Sequence, residues 1–197
     1  MASLVQEPWG FVIYRTTYTV ESNLLWPAAV AKFNQYIKLT KCVHIPCKTA
    51  PTCNHPASNT ILSDATLYAD KGIDDIANIF AKYIDSGPPS SRPRGTRADI
   101  CLVIDKEVLE WLKDAPEPIP RGIDQSQPEA CIKAVDIEWD PEEVDENEGV
   151  DERYQGWAKV PVHLLQYLHV QDAEFSLGQL VSMRRDYWDG RVFKWKG

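Results

Sequence analysis

The most restrictive stretch of the chain is Asp99 to Ile104, DICLVI. It is a continuous apolar run of strand length, and such a run reads as a central strand buried on both faces. A chain that contains one must build a sheet around it. Residues Trp9 to Tyr18, WGFVIYRTTY, supply a neighbour: they are aromatic and β-branched, with Phe11, Ile13 and Arg15 on one face. Cys131 to Trp139, CIKAVDIEW, alternates in the same way. Gly156 to Val160 predicts a further strand, and Thr66 to Ala69 a short one.

Helical spacing appears between these strands. Trp26, Val30, Phe33 and Ile37 line one face of a first long helix. Pro27 places its cap between Ser22 and Trp26, because the first turn tolerates proline. Ile73, Ile76, Ala77, Phe80 and Ile84 make a second long helix that Gly87 ends. Asp105 caps a short helix carrying Leu109, Trp111 and Leu112, which Pro116, Pro118 and Pro120 stop. Pro161 stands at the first position of a helix to His169, with Val162, Leu165 and Leu168 inward. Asp189-Gly190 then reads either as a tight hairpin between DYW and RVF or as the stop after a short helix from Ser176 to Arg185.

This order describes one α+β domain over 1–197. It is expected as a four- or five-stranded sheet with the two long helices on one face, in the ferredoxin-like manner. Three stretches fall outside that frame: a Cys/His/Pro-rich loop at 41–60, a basic Pro-rich loop at 87–97 and an acidic loop at 136–152.

The 197 residues carry a net charge of -8, and its location matters more than its size. Ten carboxylates and no Lys or Arg lie between Asp136 and Glu152; without them the rest of the chain stands at +2. A like-charge run repels itself and stays solvated. The near-neutral body, with a small basic cluster at Arg92, Arg94 and Arg97, lacks the extended positive field that phosphates demand. No RNP1-like pattern, GxxxxGKS/T or GxGxxG occurs, so nucleic acid is not an expected partner. No apolar run approaches a membrane span, and MASLVQEPWG has neither a basic n-region nor an apolar h-region. With five cysteines, an odd number, the expectation is a cytoplasmic protein with reduced thiols and no membrane partner.

Cys42, His44, Cys47, Cys53 and His55 bring five nitrogen and sulfur ligands into one loop. Zinc takes four such ligands, but the gaps of four and five residues between these cysteines exceed the usual knuckle spacing, and Pro46, Pro51 and Pro56 stiffen the path. The expectation is unligated thiols and no cofactor, with zinc as the competing reading. Cys101 lies on the central strand, where His163 or His169 could approach it; flanked by Ile100 and Leu102, it reads as an inert core thiol. The acidic run is no EF-hand, since the sixth residue counted from Asp140 is Asp145 rather than glycine.

Arg15 carries the site hypothesis. It shares a face with Ile13 and Thr17, with Tyr14 and Tyr18 on the opposite side. An arginine among inward-facing groups must meet a carboxylate or an anionic ligand. One outcome is a structural ion pair with Asp99 or Asp136. The other makes Arg15, Tyr14 and Tyr18 the ligand-binding residues. If the protein is an enzyme, His163, Tyr14 and Tyr18 are the catalytic candidates, with histidine as acid or base and Arg15 holding an anionic group. Trp9, Trp139, Trp157 and Trp188 stand at element ends, where aromatic residues line pockets and interfaces.

The opening WGFVIYRTTY before a Trp-containing helix, the later DICLVID, and YQGWAKVPVHLLQYL together resemble a family of uncharacterised intracellular proteins of filamentous fungi. The resemblance implies a fungal setting and an α+β fold, and no activity. The expected function is a non-catalytic binding or interaction module for a protein or small-molecule ligand. A cofactor-free enzyme acting on a small anionic molecule is the alternative, and a zinc-binding protein the third reading.

Overall fold

DICLVI forms the middle of a five-stranded sheet. Its strand, β3 (Ile100–Ile104), is buried at every position, because sheet neighbours flank it and side chains pack on both of its faces. The structure, a computed structural model, describes residues 9–39, 57–86, 96–117, 130–140, 142, 154–170 and 177–182. Around β3 lie β1 (Val12–Arg15), β2 (Thr60–Leu62), β4 (Cys131–Asp136) and β5 (Trp157–Pro161). The helices are α1 (Val20–Leu39), α2 (Ala65–Tyr68), α3 (Ile73–Ser86), α4 (Lys106–Asp114), α5 (Leu165–Val170), which a 3-10 turn (Val162–Leu164) introduces, and α6 (Leu177–Ser182).

The strand order is β2-β1-β3-β4-β5. β1 runs parallel to β2 and β3, while β4 is antiparallel to both β3 and β5. The α+β class stands, but the ferredoxin-like strand arrangement does not, since the first three strands are mutually parallel. The two long helices also lie on opposite faces rather than one. Phe11 and Ile13 of the first strand segment pack with Phe33, Tyr36 and Ile37 of α1, whereas Val12 and Tyr14 pack with Ile76 and Phe80 of α3. Crossovers between parallel strands keep one hand. The step from β1 to β2 and the longer step from β2 past β1 to β3 go in opposite directions, so the same hand sends α1 and α3 to opposite sides.

Four local expectations change. The helix α1 begins at Val20 and carries Pro27 in its interior. Residues Thr66 to Ala69 are not a strand: Asp64 accepts a hydrogen bond from Thr66 N at 2.8 Å and caps α2, and the strand is the preceding Thr60–Leu62. Pro161 closes β5 and precedes the 3-10 turn instead of opening an α-helix, with Val162, Leu165 and Leu168 buried as their spacing predicts. Asp136 is the last residue of β4 and only 8% exposed, so the acidic run starts inside the protein. Residues 40–56, 87–95 and 183–197, with the hairpin dipeptide Asp189-Gly190, lie outside the described residues. Gly10 marks where backbones close up: a Cβ there would stand 2.3 Å from Ser58 O.

Candidate functional site

The carboxyl edge of the sheet gathers the polar residues of interest. β1 ends at Arg15, whose register partner is Ile104, the last residue of β3. Thr16 N donates to Ile104 O at 3.1 Å, and the chain then leaves the ladder. Strand order reverses between β1 and β3, and open α/β sheets bind ligands outside the carboxyl ends of strands at such a reversal. Here α1 and α4 leave the reversal on the same face, so the opening is a shallow cleft between them. Thr19, Glu21, Ser22 and Leu25 form one wall and Lys106, Leu109, Glu110, Lys113 and Asp114 the other; Arg15, Tyr18 and Trp26 lie beside this cleft and do not line it.

Arg15 is 6% exposed. Its Nε donates to Thr17 O at 2.8 Å, and its Nη2 donates to Asn23 Oδ1 at 2.5 Å and Ser22 Oγ at 3.4 Å. The rings of Tyr18 and Trp26 cover the guanidinium, each with its centroid 4.5 Å from Cζ. The remaining nitrogen, Nη1, has no partner among the described residues and is not among their sealed, unsatisfied atoms. Neither Asp99 nor Asp136 pairs with Arg15, which corrects that expectation. Asp99 is taken by Arg97, two residues away, through a bidentate bond of 2.7 and 2.6 Å. Burial therefore lowers the pKa of Arg15, and no carboxylate among the described residues opposes it.

The structure brings Arg15 and Tyr18 together and separates the other candidates. Alternation predicts Tyr18 on the far side, but the strand has ended at Arg15, and the turn carries Tyr18 back so that its hydroxyl donates to Arg15 O at 2.9 Å. Tyr14 does face the opposite side, fully buried against Tyr68 and Phe80. His163 lies in the 3-10 turn after β5, three strands along the sheet from β1. Cys101 is buried with Tyr14, whereas His169 packs on Phe11 beneath the other face, so the sheet stands between that thiol and that imidazole. Burial raises the Cys101 pKa, which keeps it an inert thiol.

Sequence reasoning missed Ser22 and Asn23 and took Trp26 for core alone. The signal was Thr19: its Oγ1 accepts from Ser22 N at 3.1 Å, an N-terminal cap that starts the helix early and turns Ser22, Asn23 and Trp26 toward the strand end.

Beside this site Lys133 and Lys159 face each other across β4 and β5. Like charges directly opposite are unfavourable. Glu107 reconciles them, accepting from Lys159 at 2.7 Å and pairing with Lys133 at 2.8 Å, while Lys133 also reaches Asp105. Burial pushes Glu107 up, but the two lysines outweigh it and hold its pKa below the ordinary carboxylate value. This network is charge-balanced, which sets it apart from Arg15.

Cys42, His44, Cys47, Cys53 and His55 lie outside the described residues. Among the described residues no group of three or more His, Cys, Asp or Glu is placed to hold a metal ion, and no helix is long and apolar enough to cross a membrane. Compared with family models, curated proteins and solved structures, the chain matches none.

Proposed function

We propose that the protein is a non-catalytic binding module that takes a small anionic molecule at the carboxyl edge of its sheet, anchored by Arg15 and walled by Tyr18 and Trp26. The observation that carries this reading is a buried guanidinium whose partners among the described residues are all neutral. Removing one partner from a buried ion pair costs about 3–5 kcal/mol, so a buried cation without its counter-charge is an expensive arrangement. An anion from solution would supply the missing charge through Nη1. The position at the strand reversal supports the same reading. So does contrast with the other buried cations, since Arg97 and Lys133 both have carboxylates.

Thermal denaturation with inorganic phosphate and with acetate tests it. At about 100 times Kd, a bound anion stabilises the folded state by about 2.7 kcal/mol. The wild type is expected to gain stability with one of these probes, Arg15→Lys to gain less and Arg15→Gln to gain nothing. An Arg15→Gln variant that responds like the wild type, or a wild type indifferent to both anions, refutes the proposal.

A further inference from the structure

Donor count and ring geometry narrow what the Arg15 site accepts. A guanidinium holds phosphate best through two parallel N–H bonds, and here that fork is occupied: Nε is given to Thr17 O, and Nη2 to Asn23 and Ser22. Among the described residues only Nη1 is left to meet a ligand. The start of α1 adds little, because Ser22 N donates to Thr19 Oγ1 at 3.1 Å and Asn23 N to Thr19 O at 2.9 Å. Two carboxylates also stand at this corner: Glu21 in the first turn of α1, and Asp64, the cap of α2, within electrostatic reach of Tyr18. Their repulsion doubles with the charge of the ligand, so a dianion would meet one nitrogen and a hostile rim. A monocarboxylate carries a single charge, which one nitrogen answers.

One hydrogen-bonded nitrogen leaves most of the binding to the rest of the ligand. Nη1 is bonded directly to Cζ, and the ring centroids of Tyr18 and Trp26 each lie 4.5 Å from Cζ. A carboxylate oxygen about 2.9 Å from Nη1 therefore brings the group that bears it alongside those rings. Both rings are half-buried and keep surface to offer. The corner around them is apolar as well. Val20, Leu24 and Leu67, the large apolar side chains left exposed among the described residues, belong to α1, which Tyr18 leads into, and to α2, whose Tyr68 and cap Asp64 lie near Tyr18. A small hydrated anion uses none of this surface, whereas a flat apolar body uses it through ring contact and displaced water.

We propose that the ligand class of the Arg15 site is an aromatic monocarboxylate, its carboxylate on Nη1 and its ring alongside Tyr18 and Trp26. This rests on the reading of Arg15 as an anion site and adds the selectivity: the single free nitrogen rejects multiply charged anions, and the two rings reward a flat body.

Chemical-shift titration of the Arg15 Nε–H and the Trp26 indole N–H in the full chain, with acetate, benzoate and inorganic phosphate, tests it. Benzoate is expected to shift both resonances and to bind about tenfold more tightly than acetate, the ratio that one ring contact supplies. Phosphate is expected to bind more weakly than acetate. Trp26→Leu should bring the ratio of benzoate to acetate affinity down to about one, and Trp26→Phe should restore it. Comparing the anions on the wild type needs no variant, so it decides the matter even where Trp26→Leu fails to fold. If no anion moves the Arg15 resonance, the site itself fails and the selectivity with it. If acetate binds and benzoate binds no better, if phosphate binds tightest, or if Trp26→Leu keeps the preference for benzoate, the anion site stands and the aromatic class is overturned.

Discussion

Tyr14 and Arg15 are adjacent on one strand and meet opposite environments, as β alternation requires. Arg15 keeps its polar partners at the strand end. Tyr14 is driven under α3, with Tyr68 at 5.2 Å and Phe80 at 6.3 Å, and its hydroxyl finds no hydrogen-bond partner among the described residues. A buried hydroxyl without a partner costs about 1–3 kcal/mol of desolvation. Replacing Tyr14 with Phe keeps the ring and removes that cost. We expect a stabilisation of about 1 kcal/mol, measured by urea denaturation; a loss of stability would mean that the hydroxyl is satisfied in solution. The side on which Tyr14 lies is legible in WGFVIYRTTY. Whether its hydroxyl is met depends on α3, whose residues are more than fifty positions away, and no local pattern encodes that.

Among the elements, α1 departs furthest from its sequence pattern. Pro27 lacks the N–H that would bond the Asn23 carbonyl, and an interior proline costs about 3 kcal/mol. The helix forms through it because Ala29, Phe33, Tyr36 and Ile37 are buried beyond it and Ser22 before it. Each large apolar side chain among them contributes about 1.5–3 kcal/mol, so two suffice to outweigh the proline. Pro27→Ala should therefore stabilise the fold, by at most about 3 kcal/mol in chemical denaturation; a destabilised variant would show that the proline conformation supports the Arg15 site. The spacing of Trp26, Val30, Phe33 and Ile37 made the helix and its inward face readable. Its start was not, because a proline rule that is purely local places the cap too late. For α3 and α4, where no proline interferes, the apolar spacing and the Asp105 cap gave both identity and extent.

At the scale of the whole molecule, the sheet carries a cation at its carboxyl edge and an anion at its amino edge that meet no opposite charge among the described residues, with β3 between them. The anion sets a pH dependence. Burial pushes the folded-state pKa of Asp136 up to about 6, above its unfolded value, so the folded protein binds that proton more tightly. Its contribution to stability is complete in acid and is lost as pH rises through the folded value. Glu107, held below its ordinary value, acts in the other direction and loses its contribution as pH falls. Urea denaturation should accordingly show Asp136 costing the wild type about 1 kcal/mol between about pH 5 and about pH 7.5, a slope that Asp136→Asn removes. The same slope in that variant would assign the effect elsewhere. What the amino-acid order determined by itself was the existence of β1, β3, β4 and β5, the inward faces of the long helices, and the presence in Arg15 of a charge that had to be answered. These follow from side-chain periodicity, which covalent geometry fixes within a few residues. Strand order, the placing of α1 and α3 on opposite faces, and the partners of Arg15 and Asp136 were decided only in three dimensions. Crossover direction and sheet register settle which distant groups come within hydrogen-bonding reach, and electrostatic pairing depends on that separation in space and not on position along the chain.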